Sequence, residues 1–143
     1  MPRIVSFVFA LALGFAVIAP AGGAKAQSSD EVAAIEQTIK SQLAAIQIDD
    51  WAAAFSHASP MIQGIFGNPE TFSRMVISGY PMVWRPKSFQ IGELTMSPQG
   101  PVQAIFFEDQ EGRLFIADYL MQRVGDVWRI NGVTIRPAPE QNV

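Results

Sequence analysis

The sequence predicts an α+β fold in which N-terminal helices pack on a curved antiparallel sheet, a cone-shaped α+β roll. Three observations predict it. Up to Val76, apolar residues recur every three or four positions, as on one face of a helix; after Ser88 they alternate or run together, as in strands. Between the halves lies Gly79-Tyr80-Pro81-Met82-Val83-Trp84-Arg85-Pro86, whose prolines bar a continuous helix. The second half is divided by turn-forming groups at Ser97-Pro98-Gln99-Gly100, Asp109-Gln110-Glu111-Gly112 and Gly125-Asp126.

Ser28 and Glu31 have capping-box spacing ahead of Val32, Ile35, Ile39, Leu43 and Ile46, which predicts a helix to about Ile48. Asp49-Asp50 ends that helix and caps the next, Trp51 to His57, with Trp51 and Phe55 on one side. Ser59-Pro60 opens a short helical turn, and Asn68-Pro69 opens a further helix with Phe72, Met75 and Val76 inward. Gly79 is expected to stop it in a left-handed conformation. Strands are then expected over 82–84, 88–96, 101–108, 113–124 and 127–136, with Phe89, Ile91 and Glu93 as candidates for one face. Gly125-Asp126 suits a type II′ hairpin. That hairpin would set Val124 against Val127, Gln122 against Arg129, Met121 against Ile130, and Tyr119 over Gly132, with Asn131-Gly132 a candidate bulge. Phe106 and Phe107 compete for the helix-facing side.

The first 26 residues read as a signal peptide. Arg3 precedes an uncharged apolar run, Ile4 to Ile18, and Ala24-Lys25-Ala26 gives a small-x-small cleavage pattern. The run is shorter than the roughly 20 residues that span a bilayer. The expected mature chain is a single domain over 27–137, with no membrane span and a disordered tail over 138–143, periplasmic or secreted after cleavage near Ala26. With no cysteine in the sequence, its stability must rest on packing, and thiol chemistry is excluded. The formal charge of −3 includes Arg3 and Lys25 of the leader, so the mature domain is more acidic still, which argues against a nucleic-acid partner.

The expected strand containing Leu114 to Met121 is apolar on both faces: Leu114, Ile116 and Leu120 on one, Phe115, Ala117, Tyr119 and Met121 on the other. An antiparallel sheet in a two-layer domain buries one face. The second face therefore calls for a partner subunit, a segment of the same chain, or a ligand.

The run Asp49-Asp50-Trp51, Ala54-Phe55, Ala58-Ser59-Pro60, Phe66-Gly67, Phe72, Met75-Val76, Gly79-Tyr80, Arg85-Pro86 and Trp128-Arg129-Ile130-Asn131-Gly132-Val133 resembles a bacterial family, domain of unknown function 4864. That family is similar in fold to the nuclear-transport-factor-like (cystatin-like) α+β cone superfamily. The resemblance implies a small cone-shaped roll, frequently a homodimer through its sheet, and transfers no catalytic residue.

Candidate chemistry is sparse. Asp118 interrupts the series Leu114, Ile116, Leu120, and in a poorly solvated concavity it would carry a raised pKa and could shuttle protons; an ion pair with a neighbouring arginine is the plainer alternative. His57, the single histidine, could assist it or could serve only at a helix end. Tyr80, Trp84 and Tyr119 could line a ligand pocket, and Arg85 could bind an anion or pair with Asp49 or Asp50. Glu108, Asp109 and Glu111 read as a solvated hairpin turn, and no zinc or calcium spacing, phosphate loop or nucleophile elbow occurs, so no metal and no cofactor are expected. The leading expectation is a non-catalytic exported module for a small apolar ligand or a protein partner. The alternative is a cofactor-free isomerase, cyclase or lyase using Asp118.

Overall fold

A computed structural model describes residues 27–139. The expected signal peptide and residues 140–143 lie outside the described residues. Among the described residues five helices come first: α1 (Ser29–Gln47), α2 (Trp51–Ser56), α3 (Pro60–Phe66), α4 (Pro69–Gly79) and α5 (Pro81–Trp84). Strands β1 (Ser88–Ser97), β2 (Gly100–Glu108), β3 (Leu114–Val124) and β4 (Val127–Pro137) follow as one antiparallel sheet in sequential order. The helices pack on one face of this sheet, as expected.

Each helix start is set by the residue that the sequence offers for it. Ser28, Asp50, Ser59 and Asn68 each accept a backbone N–H of the first turn, from Glu31, Ala53, Ile62 and Thr71. Ile35, Ile39, Leu43 and Ile46 of α1 are wholly buried against Ile105, Phe107, Ala117, Tyr119 and Met121 of the sheet. Phe72 joins the smaller helices, with its ring centroid 6.3 Å from Trp51, 5.6 Å from Phe55 and 5.9 Å from Phe66.

Two local expectations at the join of the halves are overturned. Residues 82–84 belong to the helical turn α5 rather than a strand, because Pro81 occupies its first turn, where a missing N–H costs nothing. Gly79 ends α4 without a left-handed conformation; Tyr80, at φ −133°, is the cap. Pro137, the last residue of the expected domain, pairs with Phe115, and the Ala138 N–H donates to Leu114 O at 3.0 Å.

The hairpin at Gly125 holds. Gly125 has φ 61° and Asp126 does not share the positive φ, as a type II′ turn requires. Val124, Gln122 and Met121 face Val127, Arg129 and Ile130. Asn131 then bulges, so Gly132 pairs with Leu120 and Tyr119 pairs with Val133, not with Gly132. An aromatic ring does cover a glycine, but elsewhere: a Cβ on Gly92 would stand 2.5 Å from the Phe106 ring. A second bulge between Ile91 and Leu94 brings Leu94, not Glu93, onto the face of Phe89 and Ile91. The buried Gln103 amide secures it by donating to Gly92 O at 2.9 Å and Glu93 O at 3.3 Å.

The bulge in β4 also recruits the α2–α3 junction. Ile130 N–H donates to His57 O at 2.9 Å, Ser59 N–H donates to Ile130 O at 2.8 Å, and the Ser59 hydroxyl donates to Asn131 Oδ1 at 2.7 Å. Residues 57–59 thus run beside β4 as a short parallel bridge.

On the sheet face away from the helices, Phe106 pairs with Ile116, Ala104 with Asp118, Val102 with Leu120 and Glu108 with Leu114. Phe106 is 41% exposed and Leu114 52% exposed there. Phe107 takes the helix-facing side and is fully buried.

Candidate functional site

The helices leave space over the sheet at the end covered by α3, α4 and Tyr80. The result is a cavity of about 280 Å³. Its helical wall is Gln42 and Ile46 of α1, Ile62 and Phe66 of α3, and Phe72, Met75 and Val76 of α4. Tyr80 and Val83 close one side, and Tyr119, Ile130, Gly132 and Val133 form the sheet wall. Gly132, following the bulge, pairs with Leu120 of the outer face, so it borders the space with its backbone alone.

Among the described residues, the lining contains no carboxylate, imidazole, ammonium or guanidinium group. Its polar side chains are Gln42, Tyr80 and Tyr119. The Gln42 amide donates to Ala54 O at 3.2 Å, which fixes the side chain against α2. Tyr119 is 1% exposed, and among the described residues no group hydrogen-bonds its hydroxyl. Burial, and then the neighbouring Tyr80, push the Tyr119 hydroxyl above the ordinary phenol range, so it stays protonated and can donate.

The six predicted site residues separate into four places. Tyr80 and Tyr119 meet at the cavity. Trp84 and Arg85 lie outside it, at the end of α1: Trp84 Nε1 donates to Asp49 Oδ1 at 2.9 Å, and Arg85 Nη2 reaches both Asp49 oxygens at 3.1 and 3.0 Å. The guanidinium also stacks 4.4 Å over the Trp84 ring. Arg85 is therefore held in the ion pair that the sequence offered as its plainer role. Asp118 does not point into the concave side. It shares the outer face with Ile116 and Leu120, and Arg136 Nε donates to its carboxylate at 2.8 Å. His57 caps α2, where its carbonyl accepts from Ile130 N–H, and its ring is absent from the cavity lining. Burial, then Arg129, lower its pKa from 6.5, so the imidazole is neutral at pH 7 and no helix-end cation forms.

Asp109 is likewise unlike its expected solvated turn. It is 5% exposed, and its Oδ1 accepts from Glu111 N–H and Arg113 N–H at 3.0 and 2.8 Å. Gln42 escaped the sequence reading, although it lies seven residues after Ile35 on the buried stripe, where a polar side chain signals a lined space.

Asp49 carries the positive φ of 57° that ends α1, and it is the one non-glycine residue among those described to do so. Its N–H and that of Asp50 close the helix on Ile46 O and Ala45 O. The Trp84 hydrogen bond foremost, opposed by burial and helped by Arg85, keeps the Asp49 pKa below 3.8. A depressed folded-state pKa stabilises above the unfolded value and is lost as pH falls through the folded one. Asp49→Asn tolerates the same backbone conformation, so urea midpoints should show it less stable than wild type at pH 7, with the gap closing below pH 3.8. A gap that persists unchanged at pH 2 to 3 would place the effect elsewhere.

Helices over a four-stranded antiparallel sheet, with an apolar cavity between the layers, define an α+β roll. Within that class the chain belongs to the family described as Domain of unknown function (DUF4864), whose model matches residues 28–143. Among solved structures it is similar to Aln2 from a Streptomyces species, at 13% identity and TM-score 0.52, covering 79% of this chain and 94% of that one. An NTF2-like family protein from Streptomyces avermitilis, described as a candidate dehydratase, is 13% identical at TM-score 0.46, over 79% of this chain and 100% of that one. No curated protein matches the sequence. Among the described residues, no helix is long and apolar enough to cross a membrane.

Proposed function

We propose that the protein is an exported, non-catalytic module that holds a small apolar ligand in the cavity between helices and sheet. The observation that carries this is the lining itself: a set of aliphatic and aromatic side chains with a few polar groups fits the usual make-up of a small-molecule site. The carboxylate-based isomerase reading loses its acid–base group, because Asp118 stands on the opposite face beside Arg136. Export follows from the leader pattern in the first 26 residues.

The same reading assigns the outer sheet face to a second copy of the chain. Phe106 and Leu114 leave apolar surface open there, and the Asp118–Arg136 pair offers both signs of charge to a two-fold related partner. Native mass spectrometry of protein recovered from the periplasm should give a dimer carrying added small-molecule mass that is lost on denaturation. Leu114→Asp should yield a monomer that retains that mass. A monomeric, unladen wild type would count against both assignments, and failure to recover it outside the cytoplasm would count against export.

A further inference from the structure

We propose that the cavity selects a neutral, two-ring molecule bearing one hydrogen-bond-accepting oxygen, and that the Tyr119 hydroxyl anchors that oxygen. The inference deepens the ligand-binding reading and rests on it. Size is the first argument. A dry apolar cavity of about 150 Å³ accepts benzene; this one, at about 280 Å³, suits two fused rings. Neutrality is the second. A charged ligand would leave water for a lining with no opposite charge, and an unpaired charge in such surroundings is strongly disfavoured.

The anchor follows from which donors are already committed. Gln42 spends one amide N–H on Ala54 O, which turns that side chain towards α2. Tyr80 is partly exposed and can be satisfied by solvent. Tyr119 is 1% exposed, borders the cavity, and has no hydrogen-bond partner among the described residues. The Tyr119 hydroxyl opens on the cavity rather than being sealed in the core. An acceptor supplied by the ligand pairs it there, whereas an isostere without one covers it and leaves it unpaired, so the two are discriminated. The cross-strand partner of Tyr119 is Val133, which also lines the cavity and can offer the hydroxyl no competing side-chain acceptor.

Three probes of one shape test this by calorimetry on exported protein stripped of bound ligand over hydrophobic resin: 2-acetylnaphthalene, 2-ethylnaphthalene and 2-naphthoate. The ketone should bind about tenfold more tightly than the hydrocarbon, and the carboxylate should show no binding at pH 7. Tyr119→Phe should abolish the ketone's advantage while leaving the hydrocarbon's affinity within about twofold. Tyr80→Phe should preserve the advantage. If Tyr119→Phe failed to fold, the ketone-to-hydrocarbon ratio in the wild type would still decide. Equal affinities for those two probes would overturn the anchor while leaving the binding reading intact. Tightest binding by 2-naphthoate would overturn neutrality, and loss of the preference in Tyr80→Phe alone would move the anchor to Tyr80. Binding of none of the three would overturn the ligand-binding reading and the anchor together.

Discussion

Phe72→Ala is expected to lower the free energy of unfolding by about 3–5 kcal/mol, a large part of what a domain of this size possesses. Phe72 is 5% exposed and its ring meets Trp51, Phe55 and Phe66, so one truncation removes the contact shared by α2, α3 and α4. These helices are short, and a short helix owes its order to packing rather than to its own hydrogen bonds. The new void would also open into the existing cavity, which limits collapse around the missing ring. Urea unfolding of wild type and variant at equal protein concentration measures the difference. Phe72→Leu should recover much of it. A loss below about 1 kcal/mol for Phe72→Ala would mean that the three helices are held chiefly by their contacts with α1 and the sheet.

Val133→Phe is expected to eliminate ligand binding, by about a hundredfold or more, without lowering the melting temperature. Val133 lines the cavity opposite Tyr119, and a phenyl ring there enters open space rather than a packed wall. Occupied void gains dispersion contacts, so the melting temperature should hold or rise by a few degrees. The paired measurements are a thermal melt and native mass spectrometry. Undiminished ligand mass on the variant would place the ligand outside this cavity; a sharp fall in melting temperature would show that the wall is already filled at that point.

Local chemistry made most of the fold legible. Ser28, Asp50, Ser59 and Asn68 marked helix starts that the structure keeps, and Gly125-Asp126 fixed a hairpin and three correct cross-strand pairs. Errors arose where one residue changes phase. Pro81 stops a helix and can equally begin one, and the single extra residue at Asn131 moved Tyr119 from Gly132 to Val133. The site was legible only in part. Alternation placed Asp118 with Ile116 and Leu120, which is where it stands, but β3 is apolar on both sides and alternation alone does not say which side the helices cover. Tyr119 was found because it is large and carries a hydroxyl in an apolar strand. The volume beside it arises from how five helices fail to fill the sheet, and no single residue encodes that.

The short bridge between residues 57–59 and β4 has a consequence for how the protein behaves when crowded. A sheet edge with free N–H and C=O groups invites a further strand from another molecule, and repetition of that event builds fibres. Here the β4 edge is occupied at its bulge by His57 and Ser59, and the β1 edge is broken by the irregularity between Ile91 and Leu94. Neither margin offers an uninterrupted template. The proposed contact through the broad face of the sheet needs neither margin, and a two-fold contact of that kind closes on itself.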